Sequence, residues 1–219
     1  MTEPSGGSTD KPRRPVVVPA AALVALTAVG ITALLGGLNE RPDPPPKTLK
    51  PGQTLDQGQF DTQVVESKFV VEKAENQFAE DKRYVDVVFK VTNKTDQTVS
   101  VGSPPHDKGK GFNFGSTLLK MTPQIKTKFG PDMFVLSKGA TSRQLHPGVQ
   151  SMVVARYELD AAAQPPKQVS YDIGAMEHLE NPLTGLSNWF LVSEPEPLTN
   201  ALKDKVVAKI TLPVESQGA

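Results

Sequence analysis

The chain has 219 residues, with 24 basic against 24 acidic side chains and no cysteine. Balanced charge offers no basic field for nucleic acid, so no nucleic-acid partner is expected. Without cysteine there is no disulfide, no thiolate metal site and no residue to carry a lipoprotein's lipid, a composition that suits a bacterial envelope protein.

Met1 to Pro15 is polar, rich in Ser, Gly and Pro, and reads as a disordered cytoplasmic tail. Val16 to Leu38 follows without a single Asp, Glu, Lys or Arg, and Thr27 and Thr32 are its only polar side chains. At about 1.5 Å per residue, a helix over this run reaches roughly 34 Å, enough to cross a hydrocarbon core of about 30 Å. A core helix would show a polar face, and a cleaved signal peptide would have a shorter apolar region with a better small-residue cleavage site than Gly36-Gly37-Leu38-Asn39-Glu40. The expectation is therefore an uncleaved, single-pass transmembrane signal anchor. Lys11, Arg13 and Arg14 precede it, whereas Glu40, Arg41 and Asp43 behind it nearly cancel. That bias keeps the N-terminus cytoplasmic and puts the rest of the chain outside the membrane. Residues 39–53 contain Pro42, Pro44, Pro45, Pro46 and Pro51 and are expected to form an extended, Pro-rich linker.

Residues 54–219 read as one extracytoplasmic domain of many short strands. Tyr84 to Asn93 alternates most clearly: Val85, Val87, Phe89 and Val91 point one way, and Asp86, Lys90 and Thr92 the other, with Val88 out of pattern. This predicts Val87 and Phe89 in the core and Asp86 on a face where truncation changes little. Asn93-Lys94-Thr95-Asp96 reads as a turn and Gln97 to Val101 as the strand returning from it. Further alternation marks Val149 to Leu159 after the His146-Pro147-Gly148 turn, Val169 to Ile173 and Val206 to Val214, and Phe60 to Val71 and Trp189 to Val192 are further strand candidates. Thr117 to Met121 and Met133 to Leu136 are strand candidates within the irregular middle, residues 102–145. Thr199 to Asp204 is the best helix candidate. The pattern predicts an all-β fold, an antiparallel β-sandwich behind the N-terminal transmembrane helix.

The run Tyr84 to Thr95, followed by Thr98-Val99-Ser100-Val101 and later by Leu145-His146-Pro147-Gly148 and a strand, resembles the central part of small, secreted or envelope-anchored immunoglobulin-like domains of bacteria. A secreted immunogenic mycobacterial protein is of this broad type. The likeness covers about residues 54–214. It implies an immunoglobulin-like β-sandwich held at the membrane and brings no catalytic residues with it.

Chemistry-bearing motifs are sparse. His106, His146 and His178, even with Asp107 and Glu177 near by, show no ligand spacing, so no metal site is expected. The stretch Gly109 to Gly115 fits neither a dinucleotide-binding nor a phosphate-binding loop, so no cofactor is expected. No Gly-x-Ser-x-Gly or Ser-x-x-Lys motif supplies a nucleophile, so no catalytic residue is assigned. Asn93-Lys94-Thr95 matches a glycosylation sequon that the turn explains without a sugar. Lys108, Lys110, Phe112 and Phe114 form a candidate partner-binding loop; alternatively, the two phenylalanines start a strand and face the core. Trp189 either anchors the core or serves a binding surface.

These readings lead to a membrane-tethered extracytoplasmic interaction module without catalytic activity. A structural or assembly component of the envelope, and an enzyme of unrecognised type, are the alternatives. The partners would be the membrane, through Val16 to Leu38, and an envelope protein or ligand that the sequence does not identify.

Overall fold

The structure, a computed structural model, describes residues 44–106, 109–127, 130–137, 140–196, 199 and 201–216. The stretches read as a cytoplasmic tail and as a membrane span, residues 1–15 and 16–38, and the start of the expected linker lie outside the described residues. Among the described residues no helix is long and apolar enough to cross a membrane.

The architecture is all-β. One layer is built around β3 (Phe60–Glu72), β4 (Lys82–Asn93), β10 (Gln150–Glu158) and β7 (Asp132–Ser137), hydrogen-bonded in that order. The short β2 (Thr54–Asp56) pairs with β3, and β8 (Ala140–Ser142) with β7. The second layer runs β16 (Ala208–Ser216), β11 (Gln168–Ile173), β6 (Leu118–Thr122). Strand β16 belongs to both: residues up to Pro213 pair with β11, and Val214 to Ser216 run parallel to Ser67–Phe69 of β3. The sheet then doubles back on itself. Phe89 of β4 and Tyr171 of β11 lie three strand spacings apart along the sheet, about 14 Å if it were flat. Their ring centroids are only 5.8 Å apart, so the two layers face each other as a β-sandwich.

Alternation built this core. Val85, Val87, Phe89 and Val91 of β4 are fully buried, as are Val169, Tyr171 and Ile173 of β11, with Ala208, Ile210 and Leu212 of β16 closing the same cluster. Phe60, Phe89 and Phe114 meet edge to face at 5.6 and 5.8 Å, the arrangement that ring quadrupoles favour. The Tyr171 hydroxyl donates to the Tyr157 hydroxyl at 2.8 Å inside the core.

Several expectations are corrected. Asp86 is 3 % exposed, not solvated. Strand β10 sets Arg156 directly across from it, and the guanidinium donates to both carboxylate oxygens at 2.8 and 2.7 Å. Val88, out of pattern in the sequence, joins Phe134 and Val154 in a second small apolar cluster on that outer face. Lys47–Leu49, within the stretch read as linker, is strand β1, which pairs in parallel with Ala208–Ile210 of β16. The domain therefore takes in residues from about Pro45 onward. The segment after the Asn93 turn does not return along β4. Its strand β5 (Val99–Ser100) pairs with β9 (Gln144–Leu145) instead, because the Asn93 side chain donates to the carbonyls of both Gln97 and Leu145 and draws these segments together. Leu202–Asp204 is strand β15, paired with β14 (Ser193–Pro195), and not part of a helix. So short a segment cannot offset helix nucleation alone, and a neighbouring strand satisfies its backbone.

Candidate functional site

A groove of about 680 Å³ opens where three segments distant in sequence meet: the turn before β3, the glycine-rich loop, and a hairpin of β12 (Met176–Glu180) and β13 (Ser187–Leu191).

The first wall is the Gln57-Gly58-Gln59 turn. The Asp56 carboxylate accepts from the Gly58 amide at 2.8 Å and from the Lys94 ammonium at 2.6 Å, and these bonds hold its pKa below the ordinary carboxylate value. Gln57 is fully buried; its amide donates to the Gly174 carbonyl at 2.7 Å, while its own carbonyl accepts from the Met176 amide at 2.8 Å. The turn is thereby bolted to the root of the hairpin. Gly58 has φ +79°, and a Cβ there would lie 2.0 Å from the Met176 carbonyl oxygen, so only glycine fits.

The hairpin supplies the second wall. It carries Asn188, Trp189, Phe190 and Leu191 on one strand. Trp189 is half-buried against the core, and the His178 ring sits 5.0 Å from its own, cross-strand. The third wall is the loop leading to the helical turn α1 (Asn113–Ser116). Ser103 and Phe112 exchange backbone hydrogen bonds at 3.3 and 3.0 Å, as do His106 and Gly109 at 3.3 and 2.8 Å. Asn113 has φ +50°, a left-handed conformation that asparagine tolerates better than most residues.

That one residue decides the fate of the candidate loop. In a strand, Phe112 and Phe114 would share a face. The left-handed Asn113 breaks the extended run, so Phe112 stands 55 % exposed at the groove while Phe114 is fully buried between Phe60 and Phe89. Phe114 is therefore a core residue on a helical turn and offers no surface to a partner. Lys110 lines the groove beside Phe112. Lys108 lies outside the described residues.

Gln59 was not singled out by the sequence. It is 5 % exposed and lines the groove, its carboxamide open to the groove rather than sealed in the core. Glutamine next to a strand gives no sign of this; only the closure of the hairpin over the turn buries it.

The three histidines are not brought together. His106 is in the glycine-rich loop, His146 contacts Thr98 through Nδ1 at 3.0 Å, and His178 stacks on Trp189. Among the described residues no cluster of three or more His, Asp or Glu converges. Asn93 is fully buried, donates to two carbonyls and accepts from the Thr95 amide and hydroxyl, so its sequon is occupied by the turn itself. A second hollow, of about 600 Å³, lies over Tyr84, Phe134, Arg143 and Arg156. Both guanidiniums there are committed to carboxylates, Arg143 to Asp132 and Arg156 to Asp86 and Glu72.

The chain matches no family model and no curated protein. It is similar to a solved β-sandwich protein of Clostridium difficile 630, described as uncharacterised, at 10 % identity over 60 % of this chain and 91 % of that one, with a TM-score of 0.34. So slight a likeness carries no argument about function.

Proposed function

We propose that the chain is a membrane-tethered, extracytoplasmic binding module of immunoglobulin-like type that works without catalysis. The observation that carries the binding role is the groove itself, about 680 Å³, where the exposed rings of Phe112 and Phe190 stand beside the carboxamides of Gln59, Asn113 and Asn188. Concave sites with large apolar walls and a few convergent polar groups are where ligands bind.

The immunoglobulin-like reading is supported by strand order. Taken along the chain, β3, β4, β6, β7, β10, β11 and β16 occupy the places of strands A to G. The faces β3-β4-β10-β7 and β16-β11-β6 then correspond to A-B-E-D and G-F-C of the constant-type sandwich. The tether is the apolar run Val16 to Leu38, with the cytoplasmic side set by Lys11, Arg13 and Arg14.

Two experiments test the parts separately. Protease added to intact spheroplasts should digest the domain and spare Met1 to Pro15; survival of the domain, or a mature N-terminus near Leu38, refutes the topology. For binding, the immobilised full chain should retain a component of its own cell's envelope fraction, and Phe112→Ala should lower that retention about tenfold. Equal retention by the two proteins refutes the groove.

A structural or assembly role is the second reading. It is favoured by Leu183 and Leu186, 92 % and 67 % exposed in the β12–β13 turn. Self-association of the full chain that is abolished by Leu183→Ser with Leu186→Ser would put that role first.

A further inference from the structure

We infer that the groove takes a neutral oligosaccharide, an inference that rests on the binding-module reading above. Three carboxamides line the groove, Gln59, Asn113 and Asn188, and among the described residues none of them has a side-chain hydrogen bond. Each carboxamide presents an N–H donor and a carbonyl acceptor side by side. A sugar hydroxyl also donates and accepts, so neighbouring hydroxyls satisfy both halves of one amide.

A polyproline segment, the other ligand suited to an aromatic groove, offers carbonyls but no N–H from its prolines. It would engage the N–H half of each amide and leave the oxygens without a ligand partner. Charge argues the same way. Lys110 and Asp204 are the charged residues among those described in the lining, and they cancel. Nothing there compensates the desolvation of an ionic ligand.

The apolar part of the lining fits too. Phe112 and Phe190 are 55 % and 50 % exposed, and Trp189 lies close to Gly58 and His178. Flat rings present negative faces to which the polarised C–H face of a pyranose is attracted. Asn188 and Phe190 are two residues apart on β13, so an amide and a ring stand on one face of the strand. The volume, about 680 Å³, is that of a site for a ligand of several rings.

Trp189 is the only tryptophan in the chain, so its fluorescence reports on the groove directly. The full chain is titrated with cellohexaose, maltohexaose, chitohexaose and xylohexaose, and with decaproline. At least one sugar should shift Trp189 emission saturably, with Kd in the range of about 1 µM to 1 mM. Phe112→Ala should weaken that binding about tenfold, and Gln59→Leu by a similar factor. Phe78→Ala, exposed and outside the groove lining, should bind as the unaltered chain does. Phe112→Ala keeps the test sound should Gln59→Leu misfold.

Silence from every sugar at about 10 mM, or undiminished affinity in the Phe112 variant, overturns the inference. A saturable response to decaproline alone overturns the ligand class but leaves the binding module standing. Silence from all five probes, together with envelope retention unaffected by Phe112→Ala, removes both.

Discussion

Arg156 is the most heavily engaged side chain on the outer face of the sandwich. Its guanidinium bonds both oxygens of Asp86 and reaches Glu72, and it lies 4.6 Å over the Tyr84 ring and 5.4 Å from that of Phe134. The hydrogen bonds to Asp86 raise its pKa further above its already high ordinary value, so it stays charged throughout the accessible range. Asp86→Ala should therefore cost about 2–4 kcal/mol in urea unfolding, because it strands a part-buried cation. The double variant Asp86→Leu with Arg156→Met should lie within about 1 kcal/mol of the unaltered chain, since both charges leave together. A cost for the double variant equal to that of Asp86→Ala would show that the pair does more than balance itself. On the opposite face, Phe89→Ala should cost about 3–5 kcal/mol by the same measurement. The inward half of β4 was legible in the sequence because four apolar residues repeat at period two. The burial of Asp86 was not, since its partner lies 70 residues further along and only the β4–β10 register places it opposite.

Among the elements, the β12–β13 hairpin depends on a turn far away in sequence. Gln57 holds its root by two hydrogen bonds, and Gly58 allows the close approach. Gly58→Ala combines an unfavourable φ with a steric clash against backbone, and should cost about 1–3 kcal/mol. The Trp189 emission should shift to the red as the hairpin lifts. A variant with unchanged emission and stability would show that the turn and hairpin are not coupled. The long strands were readable, as were β6 and β7 within the irregular middle. The pairings β5–β9 and β14–β15 were not: Val99–Ser100 lies in a stretch read as a strand, but one returning along β4, and segments of two or three residues carry no sign of the neighbour that satisfies their backbone groups.

For the molecule as a whole, the tyrosines report on folding. All three, Tyr84, Tyr157 and Tyr171, have pKa values raised above the ordinary 10.0, chiefly by burial, and Tyr157 is pushed up to about 12. Their neutral forms are favoured in the fold, so the folded chain binds more protons than the unfolded one in this range. The resulting stability is fully present below pH 10.0 and is lost as pH rises through about 12. Tyrosinate absorbance should stay low at pH 10.0 and then rise together with loss of near-ultraviolet circular dichroism. A separate, non-cooperative rise centred at the ordinary value would contradict the burial of these rings.

Features that depend on local pattern can be read from the order of residues alone. Period-two alternation defines which side of β4, β10, β11 and β16 faces inward, and proline and glycine punctuate the strands. An all-β fold follows from that pattern because each half-apolar strand must bury one face against another layer. Features that depend on meetings across the chain emerge with the fold. The Asp86–Arg156 pair, the inward turn of Phe114 against the outward stance of Phe112, and the groove at Gln59, Phe112 and Trp189 all join residues from separate segments. Local periodicity carries no information about such distances; they are set by strand register, by one left-handed asparagine and by a glycine that lets a hairpin close over a turn.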